Sequence, residues 1–291
     1  MAEFREHRVQ CLSPAGYHEM AYVEWGDPGN PDVVVCVHGL TRCSRDFDDL
    51  ARALAPHYRV VCPDVVGRGR SGRLRDPQHY GIPQYCADMV TLLARLQARS
   101  LRWVGTSMGG LIGMGLAAPE GSPIDRLVLN DVGPVVSAAA LARIGEYLGK
   151  APRLESLAHA EAVLRVVAAP FGPLTDAQWR HLAEHSVTQA ADGRFEFRYD
   201  PAIALPFKAA AEASGGRDME LWPLYDAIRC PTLLLRGAQS DLLSAQTARA
   251  MGERGPRARL VEFPGVGHAP ALMAAEQIAV IADFLGRPAG P

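Results

Sequence analysis

The feature that most constrains this chain is an alternation. Short runs of β-branched and aliphatic residues recur along it, and the stretches between them carry apolar residues at helical spacing. Val33-Val34-Val35-Cys36-Val37 has no polar interruption, as a strand covered on both faces requires. Arg59-Val60-Val61-Cys62, Leu101-Arg102-Trp103-Val104, Arg126-Leu127-Val128-Leu129, Thr232-Leu233-Leu234-Leu235 and Arg259-Leu260-Val261-Glu262-Phe263 repeat the pattern. Met89, Leu92, Leu93 and Leu96, and later Ile278, Ile281 and Leu285, fall on one helical face. Alternation of this kind predicts an α/β fold with a mostly parallel, twisted sheet flanked by helices. Two earlier segments, near residues 8–12 and 18–25, are expected to add an antiparallel edge, with Gly26-Asp27-Pro28-Gly29 as a turn.

The alternation stops near Pro134 and resumes near Pro231. Residues 138–148, 160–167 and 176–187 read there as amphipathic helices, the last opened by Thr175 with Gln178 three residues on, a capping box. An insertion of this kind after the sixth core strand is expected to lie as a helical cap over the carboxyl edge of the sheet. The chain then divides into core (1–133), cap (134–228) and core (229–291), one large domain for 291 residues.

Composition excludes several functional classes. The net charge is -2, and the positive charge is almost all arginine, scattered rather than striped; such a chain offers no field to nucleic acid or to anionic lipid. No stretch is long and apolar enough for a membrane span, and the first seven residues hold no signal-like apolar run. Six dispersed cysteines without a CxxC pair fit free buried thiols. A cytoplasmic protein acting on a small molecule, as monomer or homodimer, is the expectation.

The most informative peptide is Gly105-Thr106-Ser107-Met108-Gly109, a G-x-S-x-G set between a strand and the apolar helical run that starts at Leu111. In that context the serine sits on a sharp turn with its hydroxyl lifted above the sheet, and the two glycines remove side chains that would clash. A nucleophile needs a base that works at neutral pH, which histidine supplies. Of nine histidines, His268 lies in Gly265-Val266-Gly267-His268-Ala269-Pro270, after the last strand, and so falls on the same carboxyl rim as Ser107. The base in turn needs an acid. Asp241, after the strand that ends near Arg236, is preferred; Asp131, after Leu129-Asn130, is the alternative. Backbone N–H groups of Met108, just past the nucleophile, and Leu40, in the His38-Gly39-Leu40 loop, are the candidate oxyanion donors. No metal-ligand spacing accompanies these residues, so neither a metal nor an organic cofactor is expected.

These residues, with Asp64-Val65-Val66-Gly67-Arg68-Gly69-Arg70-Ser71, resemble the α/β-hydrolase superfamily in its cap-bearing branch. The resemblance implies a triad of Ser107, Asp241 and His268, an oxyanion hole at Leu40 and Met108, and a scaffold role for the Asp64 segment. Asp241 stands four residues after Gly237 where three is commoner among such proteins, which keeps Asp131 open as the acid. A serine at the elbow, where dehalogenases and epoxide hydrolases of this fold carry aspartate, implies acyl transfer through an acyl-enzyme. The resulting expectation is a carboxylesterase for small to medium acyl esters, short hydroxyalkanoate oligomers among them. A carbon–carbon bond hydrolase or lactonase of the same fold, and a ligand-binding receptor on a hydrolase scaffold, are the alternatives. Cap aromatics are candidates to line an acyl pocket, and Arg42, Arg45, Arg143 and Arg198 to meet a substrate carboxylate.

Overall fold

The aliphatic runs become strands, and what covers them explains their composition. A computed structural model describes residues 4–150 and 152–286. In chain order the strands are β1 (Arg5–Ser13), β2 (Gly16–Trp25), β3 (Asp32–Val37), β4 (Arg59–Pro63), β5 (Ser100–Thr106), β6 (Ile124–Asn130), β7 (Val135–Val136), β8 (Val187–Gln189), β9 (Phe195–Phe197), β10 (Met219–Glu220), β11 (Thr232–Gly237) and β12 (Arg259–Phe263). The helices are α1 (Asp48–Leu54), α2 (Ile82–Leu96), α3 (Met108–Ala117), α4 (Ala138–Tyr147), α5 (Leu157–Val167), α6 (Asp176–Ser186), α7 (Ala204–Ala213), α8 (Trp222–Asp226), α9 (Ala245–Glu253) and α10 (Ala275–Gly286).

Eight strands form one sheet in the order β1-β2-β4-β3-β5-β6-β11-β12. From β4 onward every neighbouring pair is parallel, while β1–β2 and β2–β4 are antiparallel. The first two strands are joined at Pro14-Ala15, and the Gly26-Asp27-Pro28-Gly29 turn leads from β2 towards β3 instead. Successive side chains of a strand face opposite sides. Val33, Val35, Val37, Trp103, Leu127 and Leu129 accordingly pack with Met89, Leu92, Ile112 and Met114 of α2 and α3. Val34, Cys36, Val60, Cys62, Val104 and Leu235 pack with Leu50, Leu54, Ile281 and Leu285 of α1 and α10. Both faces are dry, which is why the runs lack polar residues; each fully buried Val or Leu contributes about 1.5–3 kcal/mol.

The segment between β6 and β11 holds α4 to α8 and three short strand pieces in addition to β7. It leaves and rejoins the core side by side, because β7 pairs antiparallel with β10, Val136 opposite Met219. Inside it α5 packs against α6, and β8 and β9 form a small hairpin. Helix α6 starts with the capping box read from the sequence: Thr175 Oγ1 accepts from Gln178 N–H at 3.2 Å, and Gln178 Oε1 accepts from Thr175 N–H at 3.0 Å. Among the described residues no helix is long and apolar enough to cross a membrane, and all six cysteines are free thiols.

Candidate active site

The site begins with a backbone forced into an uncommon shape. Ser107 has φ 52° and ψ -114° and joins β5 to α3, a left-handed conformation that costs a non-glycine residue energy and recurs at functional turns. Close contact fixes its neighbours. A Cβ on Gly105 would lie 2.3 Å from the Gly109 carbonyl oxygen, and one on Gly109 would lie 2.0 Å from that of Val37. Trp103 Nε1 donates to the Gly109 carbonyl at 3.0 Å and ties strand to helix. The Ser107 hydroxyl does not cap α3. It faces His268 Nε2 at 2.9 Å instead.

The other imidazole nitrogen decides between the two aspartates. His268 Nδ1 lies 2.7 Å from Asp131 Oδ2. Asp131 is fully buried at the end of β6, at φ 55°. It accepts hydrogen bonds from Gly237 N–H on Oδ1 at 2.9 Å and from Ser240 Oγ on Oδ2 at 2.6 Å. An ionised carboxylate only accepts, so Nδ1 carries the proton and Nε2 presents its lone pair to Ser107. Asp241, the preferred acid in the sequence, is therefore corrected: its carboxylate is exposed and pairs with Arg143 at 2.7 Å. The reason lies in the turn after β11. Gln239 N–H bonds the Val266 carbonyl and Ser240 N–H bonds the Gly237 carbonyl, and this turn points the Ser240 hydroxyl inward at Asp131. Asp241, one residue on, faces outward. Ser240 was missed by sequence reasoning; its only signal was adjacency to Asp241.

Asn130 braces the same rim, donating from Nδ2 to Thr106 Oγ1 at 3.0 Å and to the Pro270 carbonyl at 2.8 Å. Its backbone carbonyl accepts from Ser107 N–H at 3.0 Å. The ends of β5 and β6 and the loop after His268 are thus one hydrogen-bonded unit.

The loop after β3 is set by His38, which is buried. Val65 N–H donates to His38 Nε2 at 2.9 Å, so Nδ1 holds the proton and donates to the Gly39 carbonyl at 2.7 Å. That carbonyl and Leu40 N–H belong to one peptide plane and point opposite ways; holding the first aims the second. Burial, the main cause, pushes the His38 pKa down, which keeps the ring neutral in this role. Met108 is the first residue of α3, and its N–H is among those a helix start leaves unused. Asp64 orders the neighbouring turn by accepting from Ser44 N–H at 2.7 Å and Arg70 N–H at 2.8 Å.

A cavity of about 30 Å³, room for one or two waters, lies against this unit, lined by Gly39, Thr106 and Pro270 and by Phe171 and Leu182 of the segment between β6 and β11. Among the cap aromatics Phe171 lines this cavity, and Trp179 packs beside it in the cluster that holds Leu182. Tyr225 is buried in another apolar cluster, and Phe195 packs with Leu154 and Val187. Of the four arginines considered for a substrate carboxylate, Arg42 pairs with Asp46, Arg45 with Asp48 and Arg143 with Asp241. Arg198 Nε is buried without a partner among the described residues.

The chain matches the family model of the alpha/beta hydrolase fold over residues 32–274. It belongs to that family. Three relatives of this hydrolase-fold chain align along almost its whole length. A protein of Cupriavidus necator named 3-hydroxybutyrate-oligomer hydrolase is 51% identical over 280 residues, covering 95% of this chain and 96% of that protein. A solved alpha/beta hydrolase from Novosphingobium aromaticivorans superposes with a TM-score of 0.86 at 40% identity, covering 99% of this chain and all of the other. A solved chain from Rickettsia typhi gives a TM-score of 0.88 at 34% identity, covering 97% and 98%.

Among the described residues of this hydrolase-fold chain two other clusters hold ligating side chains, and neither includes Ser107 or His268. Cys11, His18 and Asp88 are buried together under the β1–β2 edge. His18 Nε2 meets Asp88 at 2.9 Å, while burial first and Asp88 second push the Cys11 thiol up to about 12. Asp48, His181 and His185 meet where α6 touches the core, and there Arg45 already clamps the Asp48 carboxylate through Nε at 2.9 Å.

Proposed function

We propose that this chain is a serine hydrolase of carboxylic esters that works through an acyl-enzyme, with Ser107 as nucleophile, His268 as base and Asp131 as the acid that orients the base. One observation carries the reading: a single imidazole bridges a serine hydroxyl on a strained elbow at 2.9 Å and a buried carboxylate at 2.7 Å. His268 Nε2 takes the Ser107 proton as Oγ attacks the ester carbonyl carbon, and Asp131 stabilises the imidazolium that forms. Leu40 and Met108 N–H groups receive the developing oxyanion, donors worth about 2.7–4 kcal/mol each in comparable sites. The imidazolium then protonates the leaving alkoxide. A water, deprotonated by the same nitrogen, attacks the acyl-enzyme and releases the acid and Ser107. No step needs a metal or a cofactor.

The substrate class we infer is the short oligomer of a hydroxyalkanoic acid. The support is the name of the C. necator relative at 51% identity across nearly both whole chains. Such an oligomer carries ester bonds within the chain and a carboxylate at its end. Residues 134–228 act as a cap in this reading: they enter and leave through the β7–β10 ladder and set Phe171 and Leu182 beside Thr106. The test is steady-state hydrolysis of p-nitrophenyl esters from acetate to palmitate and of a 3-hydroxybutyrate dimer, with Ser107→Ala alongside. Multiple turnovers lost in the variant are expected, with the dimer cleaved. A single burst from folded protein would make the chain a receptor, and cleavage of a dienoic diketone or a lactone in place of open-chain esters would move it to another hydrolase class.

A further inference from the structure

The most unusual group outside the triad is a buried cation with no counter-charge against it among the described residues. Arg68 is 1% exposed. Its guanidinium donates from Nε to the Leu40 carbonyl at 2.8 Å, from Nη1 to the Val66 carbonyl at 2.8 Å and to the Tyr85 hydroxyl at 2.9 Å, and from Nη2 to Met108 Sδ at 3.5 Å. It also lies over the rings of Tyr85 and Tyr80, at 4.9 and 5.9 Å. Every one of these partners is neutral. Placing an unpaired charge in the interior is costly, and arginine tolerates it better than lysine because its charge is spread and weakly hydrated.

The contacts show where that charge is aimed. Two of the four go to Leu40 and Met108, the residues whose N–H groups serve as oxyanion donors in the reading above. The Leu40 carbonyl is held by Arg68 while the Gly39 carbonyl is held by His38, so Leu40 N–H is fixed through its own peptide plane and through the one that follows. A fixed positive charge held against the Leu40 carbonyl and the Met108 side chain attracts an oxyanion more strongly in a low-dielectric interior than it would in water. The neutral ester ground state feels little of this attraction, and only an interaction stronger in the transition state raises kcat.

We infer that Arg68 is a positioning residue of the oxyanion hole: it fixes the Leu40 and Met108 donors and supplies the positive potential behind them. The inference rests on the proposed roles of Ser107, Leu40 and Met108. It assigns the Arg68-bearing turn more than the scaffold role implied by the family resemblance.

The experiment compares wild type, Arg68→Met, Arg68→Lys and Tyr85→Phe in two readouts: kcat and KM for p-nitrophenyl butyrate, and the inhibition constant of 1-butylboronic acid, whose serine adduct is an anionic tetrahedral mimic. Arg68→Met is expected to lower kcat by about 10- to 100-fold, less than the loss of a direct donor, with KM within about twofold. Boronate inhibition should weaken by the same factor. Arg68→Lys keeps the charge but cannot span all four partners, and should recover part of both losses. Tyr85→Phe frees one edge of the guanidinium and should move both readouts together by about threefold. A kcat loss with unchanged boronate affinity would make Arg68 a scaffold residue and overturn the inference, as would unchanged kcat. If Arg68→Met does not fold, Arg68→Lys and Tyr85→Phe decide, and no change in either overturns it. Failure of the boronate to inhibit wild type would remove the Ser107 reading and this inference with it. Inhibition of wild type with an unshifted constant in the variants removes this inference alone.

Discussion

Two loops on one rim of the sheet each carry an aspartate, and they could hardly differ more. Asp131 follows β6, is completely buried, and its two oxygens accept three hydrogen bonds, from Gly237, Ser240 and His268. Asp241 follows β11, is exposed, and pairs with the guanidinium of Arg143 on α4. Both are within a few residues of a strand end, which is all that chain position specifies. What separates them is how the backbone around each one supplies donors. A carboxylate removed from water must be repaid in hydrogen bonds, and the turn between Gly237 and Ser240 supplies them to Asp131 rather than to its own neighbour. Chain position does not by itself select which carboxylate meets His268.

Substitution of each aspartate by asparagine breaks or sharpens this contrast most directly. Asp131→Asn presents an amide to His268 Nδ1 and favours the wrong tautomer, so kcat should fall by about 10³–10⁴. Asp241→Asn removes a solvated charge and should leave kcat within about twofold. Steady-state kinetics of both variants, with circular dichroism to confirm folding, gives the ranking. A reversed order would return the acid role to Asp241 and mean that the loop after β11 rearranges in solution.

Ser240 joins the two loops and comes next in size. Its hydroxyl donates to Asp131 Oδ2 at 2.6 Å and accepts from Leu243 N–H at 3.1 Å. Ser240→Ala strips one donor from a buried carboxylate, an effect of about 1–1.5 kcal/mol or roughly tenfold. We expect it in kcat, because Asp131 then holds the imidazolium less firmly. A loss confined to thermal stability would mean that Ser240 only closes the turn.

The fold was legible because the strands are dry on both sides: Val33-Val34-Val35-Cys36-Val37 can hardly be read as anything but a buried strand. That Ser107 and His268 would meet on one rim was legible for a related reason, since the glycines around them mark backbone that must turn tightly at the end of such a strand. Which aspartate meets His268 was not, because that depends on tertiary hydrogen bonds between the loops after β6 and β11, and two loops 106 residues apart leave no trace in local pattern. Arg68 was invisible for the opposite reason. In the sequence it is one arginine among many in a Gly-rich turn, and only the packing reveals a buried charge with no carboxylate against it among the described residues. The segment between β6 and β11 gave up α4, α5 and α6 through periodicity and capping, but not α7 or α8, nor which aromatics face the site, because buried aromatics look alike until packing sorts them.

The contrast extends to histidine. His268 has a buried carboxylate in hydrogen-bond contact, whereas His185 on α6 lies near Asp48, edge-on to the His181 ring and in the field of Arg45, His181 and Arg198. Burial above all, then these positive neighbours, push its pKa down to about 3. In the unfolded chain an ordinary value of about 6.5 applies, so on acidification the unfolded chain binds this proton first. The stability that depends on a neutral His185 is therefore complete above pH 6.5 and drains away between there and about pH 3. His185→Gln, which keeps a polar side chain without the titration, should flatten the fall in Tm across that window by about 2–4 °C at pH 4. Parallel Tm–pH curves for the two proteins would show that His185 is solvated, and that α6 does not seat on the core as described.

The smallest expected effect belongs to the pair left on the rim. Arg143 and Asp241 are both about half exposed, 46% and 53% for their side chains, and they link α4 of the inserted segment to the loop after β11. Exposed pairs of this kind contribute about 0–1 kcal/mol and are screened by salt. A double-mutant cycle with Arg143→Gln and Asp241→Asn should give a coupling energy below about 1 kcal/mol in Tm-derived stability, shrinking as salt is raised from 0.05 to about 0.5 M. The kinetic side is where the pair can still matter, since it is a fastening between the inserted segment and the core. If that fastening slows entry of long esters, breaking it raises kcat/KM for p-nitrophenyl octanoate about twofold and leaves the acetate unchanged. Equal rates for both esters in all four proteins would reduce Asp241 to a solvated surface charge, as far from the chemistry in function as Asp131 is close to it in space.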